Sequence, residues 1–514
     1  MTGRVLMVQG TASSVGKSIL VSALCRIFKQ DGLSVAPFKA QNMALNSFVT
    51  PEGGEIGRAQ AVQADAAGLD PSVDMNPVLL KPEADATSQV IVHGRPLCTL
   101  SARDYYQSKL DLWPYVVQSL DRLRARHDLV VIEGAGSPAE INLKERDIVN
   151  MRVATYAQAP VLLAGDIDRG GIFAALLGTI ELLEPAERAL IGGFVVNKFR
   201  GDVTLLQPGL DFLEQRTGKP VLGVVPYLRD LGLAEEDSVA LDRRVKQGPS
   251  PGLLDIAVVR LPHISNFDDF DPLDRGPSRV RYVSIREELG TPDLLIVPGT
   301  KSTIADLHFL RQTGLGDAIV ALARRKVPVL GICGGYQIIG QRIEDPDGVE
   351  SDQRAAEGLG LLPVRTTFAA EKTTHQMTGR ILVRQGWLGE AHGELVRGYE
   401  IHMGQSRQEG ADPALQVETR SGRQADHEDG AIAFDGRVGG TYVHGLFHNE
   451  RITAAVQRYL ARQRGISIDE HATGPTRDEA YDRLAQHVRD SLRMDRIYAL
   501  LDLVPGQCSL PIQT

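Results

Sequence analysis

Cys333 stands in Gly331-Ile332-Cys333-Gly334-Gly335-Tyr336-Gln337, directly after the apolar run Val327-Pro328-Val329-Leu330. That run is short enough for a buried strand, and Ile338-Ile339-Gly340-Gln341-Arg342-Ile343 beyond it reads as a helix. A cysteine between small residues at a strand-to-helix turn is the sulfur version of a nucleophile elbow, in which small neighbours tolerate strained backbone and leave the sulfur exposed. The helix N-terminus that follows favours thiolate and turns backbone N–H groups toward a developing oxyanion. Cys333 is therefore the candidate nucleophile, weighed against the common fate of a free cysteine as a small packing residue. Such a nucleophile needs a base. His444, in the glycine-rich strand end Gly440-Thr441-Tyr442-Val443-His444-Gly445, competes with His402 in Gly398-Tyr399-Glu400-Ile401-His402-Met403-Gly404, and its setting, like that of Cys333, favours it. The turn Pro298-Gly299-Thr300 after the strand Asp293–Val297 offers the Gly299 amide as the second half of an oxyanion hole beside Gly334.

A second set of residues suits phosphate. Gly10-Thr11-Ala12-Ser13-Ser14-Val15-Gly16-Lys17-Ser18 separates a strand at Arg4–Gln9 from a helix beginning at Ile19. In that cradle Gly16 admits close backbone approach, Lys17 supplies a point charge, and the Ser18 hydroxyl can ligate Mg²⁺. Thr11 stands where the strict pattern requires glycine. Asp128-Leu129-Val130-Val131-Ile132-Glu133 is an apolar strand closed by an acid, so Glu133 can bind the same metal directly or through water. Other strand ends release polar groups where open parallel sheets bind ligands. These are Lys39, Gln41, Asn42 and Asn46 after the second strand, and Asp166 and Asp168 before Arg169-Gly170-Gly171, where an Asp–Arg pair and a helix cap are an equal alternative.

These groups need a scaffold, and strands alternating with helices supply one. Residues 1–235 read as a doubly wound parallel sheet, 236–253 have linker composition, 254–455 form a second α/β series, and 456–514 are a helical extension without chemistry. The chain of 514 residues has material for two cores, and 43% apolar with 24% charged residues is the balance of a globular protein in water. A net charge of −9 without a basic stripe argues against nucleic-acid binding. No apolar run reaches membrane-spanning length, and four scattered cysteines have neither metal nor disulfide spacing, so the expected compartment is the cytoplasm. Nothing in the sequence sets the oligomeric state.

The elbow and His444 resemble the class I (triad) glutamine amidotransferase domain, which releases ammonia from glutamine through a thioester. That resemblance implies that Gln337 helps hold the substrate glutamine, and it favours His444 by its place after the elbow. The family's usual acid two residues after the histidine is here Leu446, which leaves the third member open. The variant phosphate loop is similar to that of dethiobiotin synthetase and its relatives, which use ATP to activate carboxylates; it implies ATP contacts at Gly10, Thr11, Val15, Gly16, Lys17 and Ser18, with Asn197 reading the adenine edge. Further stretches, Glu133–Leu143, Asn197–Asp202, Leu261–Leu273 and Gly398–Gly404, make the whole chain similar to the cobyrinate amidotransferase family. The resemblance implies Mg²⁺, ATP and L-glutamine as reactants and a corrinoid substrate, with four peripheral carboxylates (b, d, e and g) of adenosylcobyrinic acid a,c-diamide amidated. Rival readings are an a,c-diamide synthase, a nucleotide-amidating synthetase, and a P-loop switch ATPase with an inactive glutaminase-like domain.

Overall fold

The computed structural model describes residues 2–83, 87–228, 253–468 and 476–503. It divides into two compact units: Met1–Ala44, Glu55–Leu233 and Pro475–Thr514 form the first, and Leu45–Gly54 with Ala234–Gly474 form the second. The expected linker at 236–253 falls, all but Leu253, outside the described residues.

The first unit is built on six strands: β1 (Arg4–Gly10), β2 (Val35–Phe38), β3 (Leu129–Glu133), β4 (Val161–Asp166), β5 (Ile191–Phe199) and β6 (Val221–Pro226). Their order is β6-β5-β4-β1-β3-β2 and every pairing is parallel. Strands buried on both faces must be apolar throughout, which is why β3 reads Leu-Val-Val-Ile before its acid. Helix α1 (Lys17–Gln30) and helix α2 (Arg58–Ala67) follow β1 and β2. A four-stranded side sheet, Gln41–Met43, Val78–Pro82, Thr87–Val92 and Arg95–Ser101, lies off this core.

The second unit has its own sheet of β7 (Leu254–Val259), β8 (Ser278–Val283), β9 (Leu294–Val297), β10 (Val329–Ile332), β13 (Ala431–Ala433) and β14 (Val438–Thr441). The order is β8-β7-β9-β10-β14-β13, parallel except for the last pairing. Helix α3 (Thr303–Gln312) follows β9 and helix α4 (Gly334–Ile339) follows β10. A second sheet contains the long antiparallel pair β11 (Val364–Ile381) and β12 (Leu395–Gln408), against which the two-residue strand β15 (Val443–His444) pairs.

Three sequence expectations differ here. The helix expected at Ile338–Ile343 begins earlier, at Gly334, and stops at Ile339, while Arg342–Glu344 is a strand. An added Cβ at Gly340 would lie 2.8 Å from the Val364 carbonyl oxygen, so the chain there is already drawn against β11. The boundary drawn between 455 and 456 falls inside helix α5 (Glu450–Arg464), whose Ile452, Ala455, Val456 and Leu460 are all buried in the second unit's core. The last helices, Arg477–Ser491 and Met494–Leu500, belong to the first unit: Tyr481, Leu484 and Val488 pack with Leu20, Leu24 and Phe28 of α1, and Arg489 makes a two-pronged bond to Asp31 at 2.8 and 3.0 Å.

Leu484 is 1% exposed in that cluster. Leu484→Ala is expected to cost about 2–5 kcal/mol in denaturant unfolding of the first unit, because a core leucine leaves both lost transfer energy and a cavity. A loss below about 1 kcal/mol would mean that this helix merely rests on the surface.

Candidate functional site

The second unit brings its chemistry to the C-terminal ends of β9, β10 and β14. Cys333 has φ 50° and ψ −109°, a backbone conformation that a non-glycine residue holds only under constraint. The constraint is visible in its neighbours. A Cβ on Gly331 would come within 2.7 Å of the Gly335 carbonyl oxygen, and one on Gly335 would be 1.9 Å from the Val297 carbonyl oxygen. Small residues are therefore required on both sides of the turn. The sulfur is not laid open as the sequence suggests: Cys333 is 7% exposed, because β12 crosses beside it and the Ile401 carbonyl oxygen lies 3.5 Å from Sγ.

His444 stands within hydrogen-bond reach of Cys333. Its Nδ1 donates to Asp269 Oδ2 at 2.6 Å, and Asp269 Oδ1 accepts the Gly445 N–H at 2.8 Å. Tyr399 stacks on the imidazole with ring centroids 5.2 Å apart. Asp269 thus completes a Cys–His–Asp constellation, from a position 175 residues before the histidine. It sits in a 3-10 turn, Phe267–Asp274, whose Phe267, Phe270 and Leu273 recur every third residue and face the core. That spacing turns Asp269 away from the core face and toward His444. Burial works to lower the pKa of His444, but the Asp269 carboxylate and the Cys333 sulfur outweigh it and raise it to about 10. The imidazolium is therefore the favoured form across neutral pH, the state that supports a neighbouring thiolate.

His402 lies apart from this arrangement. Burial lowers its pKa to about 4, its Nδ1 donates to the Gly404 carbonyl oxygen at 2.8 Å, and its ring stacks on Tyr442 at 3.8 Å. Glu400, its neighbour in sequence, pairs instead with Arg420 at 2.7 Å. Gln337 has both ends engaged within the protein: Oε1 accepts from Thr303 Oγ1 at 3.2 Å, and Nε2 donates to the Tyr442 hydroxyl at 3.0 Å. The Gly299–Thr300 turn lies against Gly334, where an added Cβ would be 2.6 Å from Thr300 Cγ2, and a Cβ on Gly299 would be 3.1 Å from His444 Cε1. Thr300 in place of a glycine is accommodated because its hydroxyl donates to the buried carboxylate of Asp306 and accepts the Ser302 N–H. The geometry can carry thiolate attack on an amide, with the Gly299 and Gly334 amides near the same reacting position.

In the first unit, Gly10, Thr11, Val15 and Gly16 form the loop before α1. A Cβ on Gly10 would meet Val15 Cγ2 at 2.5 Å, and Gly16 has φ 98° as the N-cap of a helix without a side-chain cap. The N–H groups that point out of that N-terminus suit an anion. Lys17 Nζ donates to the Ala12 and Gly136 carbonyl oxygens at 2.9 and 3.2 Å. Asn197 lies against the loop, donating from Nδ2 to the Val15 carbonyl oxygen at 2.7 Å. Glu133 is the hub: Oε1 accepts from Ser18 Oγ and Lys39 Nζ, both at 2.9 Å, and Oε2 accepts from Gln63 Nε2. Burial alone would raise the Glu133 pKa, yet Lys39, Gln63 and Lys17 together hold it below the usual carboxylate range. Ser18 Oγ and an ionised Glu133 are hard oxygen donors that fit Mg²⁺. Among the described residues no group of three or more His, Cys, Asp or Glu side chains could hold a metal ion, so phosphate oxygens and water would complete such a shell.

The other candidates separate. Lys39 belongs to the Glu133 cluster, Asn42 Nδ2 donates to Gln60 Oε1 at 3.0 Å, and Gln41 Oε1 accepts from the Tyr105 hydroxyl. Asn46 belongs to the second unit. Asp166 pairs with Lys198 at 2.9 Å and Asp168 with Arg200 at 3.1 Å, so both carboxylates hold cations of the chain itself. Sequence reasoning passed over Asp269, Gln63 and Tyr442; the three-residue recurrence of Phe267, Phe270 and Leu273 was the available signal for the first.

Fold and site together define a P-loop nucleotide-binding unit joined in one chain to a glutamine amidotransferase. Residues 6–240 match the CobQ/CobB/MinD/ParA nucleotide binding domain, and residues 255–452 match the CobB/CobQ-like glutamine amidotransferase domain. A cobyric acid synthase of Dehalococcoides mccartyi (strain CBDB1) is 56% identical over 97% of this chain and 99% of its own. Those of Sorangium cellulosum and Moorella thermoacetica are 57% and 51% identical over 98% and 97% of this chain, covering 99% and 98% of theirs. The chain belongs to the cobyric acid synthase family and is an amidotransferase of the ligase type.

Asp269→Asn is expected to lower glutamine hydrolysis by about 10²–10⁴-fold, because the amide no longer stabilises the imidazolium. The raised pKa of His444 gives a contribution fully present below its ordinary 6.5 and lost as pH rises through about 10. The alkaline limb of Cys333 alkylation by the anionic reagent iodoacetate, which the imidazolium attracts, should accordingly move to lower pH in Asp269→Asn. An unchanged limb would remove Asp269 from the constellation.

Proposed function

We propose that this chain converts adenosylcobyrinic acid a,c-diamide to adenosylcobyric acid by amidating carboxylates b, d, e and g, with one glutamine and one Mg-ATP consumed at each. The reading is carried by one observation: near full-length identity above half to cobyric acid synthases, in a chain with both a Cys–His–Asp centre and a phosphate cradle closed by Glu133. That coverage favours this substrate over the a,c-diamide synthase reading. An intact Cys333, His444 and Asp269 disfavours a switch ATPase with a dead second unit.

In the second unit the Cys333 thiolate attacks the glutamine carboxamide, and the Gly299 and Gly334 amides receive the oxyanion. His444 gives its proton to the departing nitrogen, ammonia leaves, and water then releases glutamate from the thioester. Gln337, tied to Thr303 and Tyr442, keeps the glutamine pocket in register. In the first unit the loop amides and Lys17 hold the ATP phosphates while a corrinoid carboxylate takes the γ-phosphoryl group. Mg²⁺ held by Ser18 and Glu133 would supply charge neutralisation between the phosphates. Lys39, released from Glu133, is the cation for the incoming carboxylate. Ammonia displaces phosphate from the acyl phosphate, so C–N forms as C–O breaks. Direct use of the ammonia is favourable because free ammonia is mostly protonated near neutral pH. The protein is read as a cytoplasmic enzyme; no described helix is long and apolar enough to cross a membrane.

Mass spectrometry of adenosylcobyrinic acid a,c-diamide incubated with the protein, glutamine and Mg-ATP should show four successive carboxylate-to-amide conversions. An unchanged corrinoid, with glutamine and ATP turning over, would remove the substrate assignment. Cys333→Ala should lose glutamine-dependent amidation entirely yet keep amidation with ammonium salts; failure of ammonium to restore it would refute the division of labour between the units.

A further inference from the structure

Helix α2 carries two glutamines whose free atoms the reaction above leaves unused. Gln60 and Gln63 are both fully buried, and three residues apart they share one helix face. Hydrogen bonding fixes which end of each amide is engaged. Asn42 Oδ1 accepts the Met43 N–H at 2.9 Å, so Asn42 Nδ2 is the donor that reaches Gln60 Oε1 at 3.0 Å. Gln60 Nε2 is then left buried with no hydrogen-bond partner among the described residues. At Gln63 the order is reversed. Its Nε2 donates to the Glu133 carboxylate, which accepts only, and its Oε1 is left buried with no partner among the described residues. One turn of helix thus presents a free donor on Gln60 and a free acceptor on Gln63, the residue that joins the Ser18–Glu133–Lys39 cluster. An unsatisfied buried amide end is a burden on the fold, one that is carried where a ligand completes it.

A free N–H beside a free C=O is complementary to one group above all, a primary carboxamide, and so to the steps that make it. The geometry points to Gln60 and Gln63 as the residues that contact the reacting atoms during amide formation, an inference that rests on the amidoligase reading above. Gln63 Oε1 accepts an N–H of the entering ammonia and leaves its lone pair free to attack. Gln60 Nε2 donates to the carbonyl oxygen of the acyl phosphate, where negative charge grows as the C–N bond forms. Collapse breaks the C–O bond to phosphate, which leaves with the electron pair, and one N–H proton passes to that phosphate. Acyl phosphate and ammonia become carboxamide and hydrogen phosphate, with no further reactant. A carboxamide product satisfies both glutamines.

Gln60→Glu keeps an oxygen for Asn42 and replaces the amide donor by a carboxylate oxygen, at the cost of an added negative charge, so it is read together with the neutral Gln60→Met. With ammonium chloride, Mg-ATP and adenosylcobyrinic acid a,c-diamide, the full-length variant should still form the acyl phosphate but aminate it slowly. Water then takes the intermediate, and the ratio of phosphate released to amide formed should rise about tenfold or more over the native protein, as expected for loss of one oxyanion donor. Gln60→Met, close in volume and without a buried polar end, should show the same uncoupling and guards against a folding defect. Gln63→Met should raise the KM for ammonia about tenfold. Phosphate and amide falling together in both Gln60 variants, or an unchanged ratio, would overturn the inference. If the native protein itself leaves the corrinoid unamidated while releasing phosphate, the substrate reading fails instead.

Discussion

The second unit depends on a buried ion pair. Asp269 and His444 are each 1% exposed at the side chain, and taking a carboxylate and an imidazolium out of water costs several kcal/mol per ion. Such a pair persists only when each lone pair and proton is occupied. Both Asp269 oxygens are, by His444 Nδ1 and by the Gly445 N–H, and the imidazole is further covered by Tyr399. Much of the local architecture follows from that requirement. Asn266 takes a left-handed φ of 52° to start the turn that aims Asp269, and its own side chain bonds the Tyr399 hydroxyl and the Ser47 N–H. The short segment 45–54, from the N-terminal half of the chain, thereby becomes part of the second unit.

The first unit solves an analogous problem with the opposite aim. Glu133 is 1% exposed and receives Ser18, Lys39 and Gln63, and its pKa is held below the usual carboxylate range. The loop behind it is pinned by Asn150, whose amide accepts the Ala135 N–H and donates to the Ala135 carbonyl oxygen at 3.1 and 2.7 Å. A carboxylate held by one cation and two neutral donors can exchange Lys39 for a divalent ion once phosphate oxygens and an incoming carboxylate take up the positive charge that the exchange leaves over. In both units, then, the working groups are positioned by buried charges whose partners come from several strands and loops, and the sheets supply the rigidity that such positioning needs.

Local pattern carried what local physics determines. The loop Gly10–Ser18, the acid closing β3 and the elbow at Cys333 are each a strand, a turn and a helix start, and adjacent residues decide them. The two parallel sheets were legible for the same reason, as buried strands read as apolar runs. Asp269 was not legible as the third member, because its pairing with His444 is a tertiary contact with no spacing rule. The exposure of Cys333 was overestimated because a strand far along the chain, carrying Ile401, covers it. The helix at Gly334 was placed too late because the apolar residues Ile338 and Ile339 outweigh two glycines in a periodicity count. The terminal helices showed their periodicity but not their destination, since amphipathic pattern says that a face is buried and is silent on what buries it.

In the proposed reaction, ammonia made at Cys333 meets a carboxylate phosphorylated beside Lys17 and Glu133, and isotope transfer tests that junction most directly. Adenosylcobyrinic acid a,c-diamide labelled with ¹⁸O in its free carboxylates should, on incubation with glutamine and Mg-ATP, pass one ¹⁸O to inorganic phosphate for each amide formed. Unlabelled phosphate accompanying amide formation, or release of pyrophosphate in its place, would contradict an acyl phosphate and with it the role assigned to the phosphate cradle.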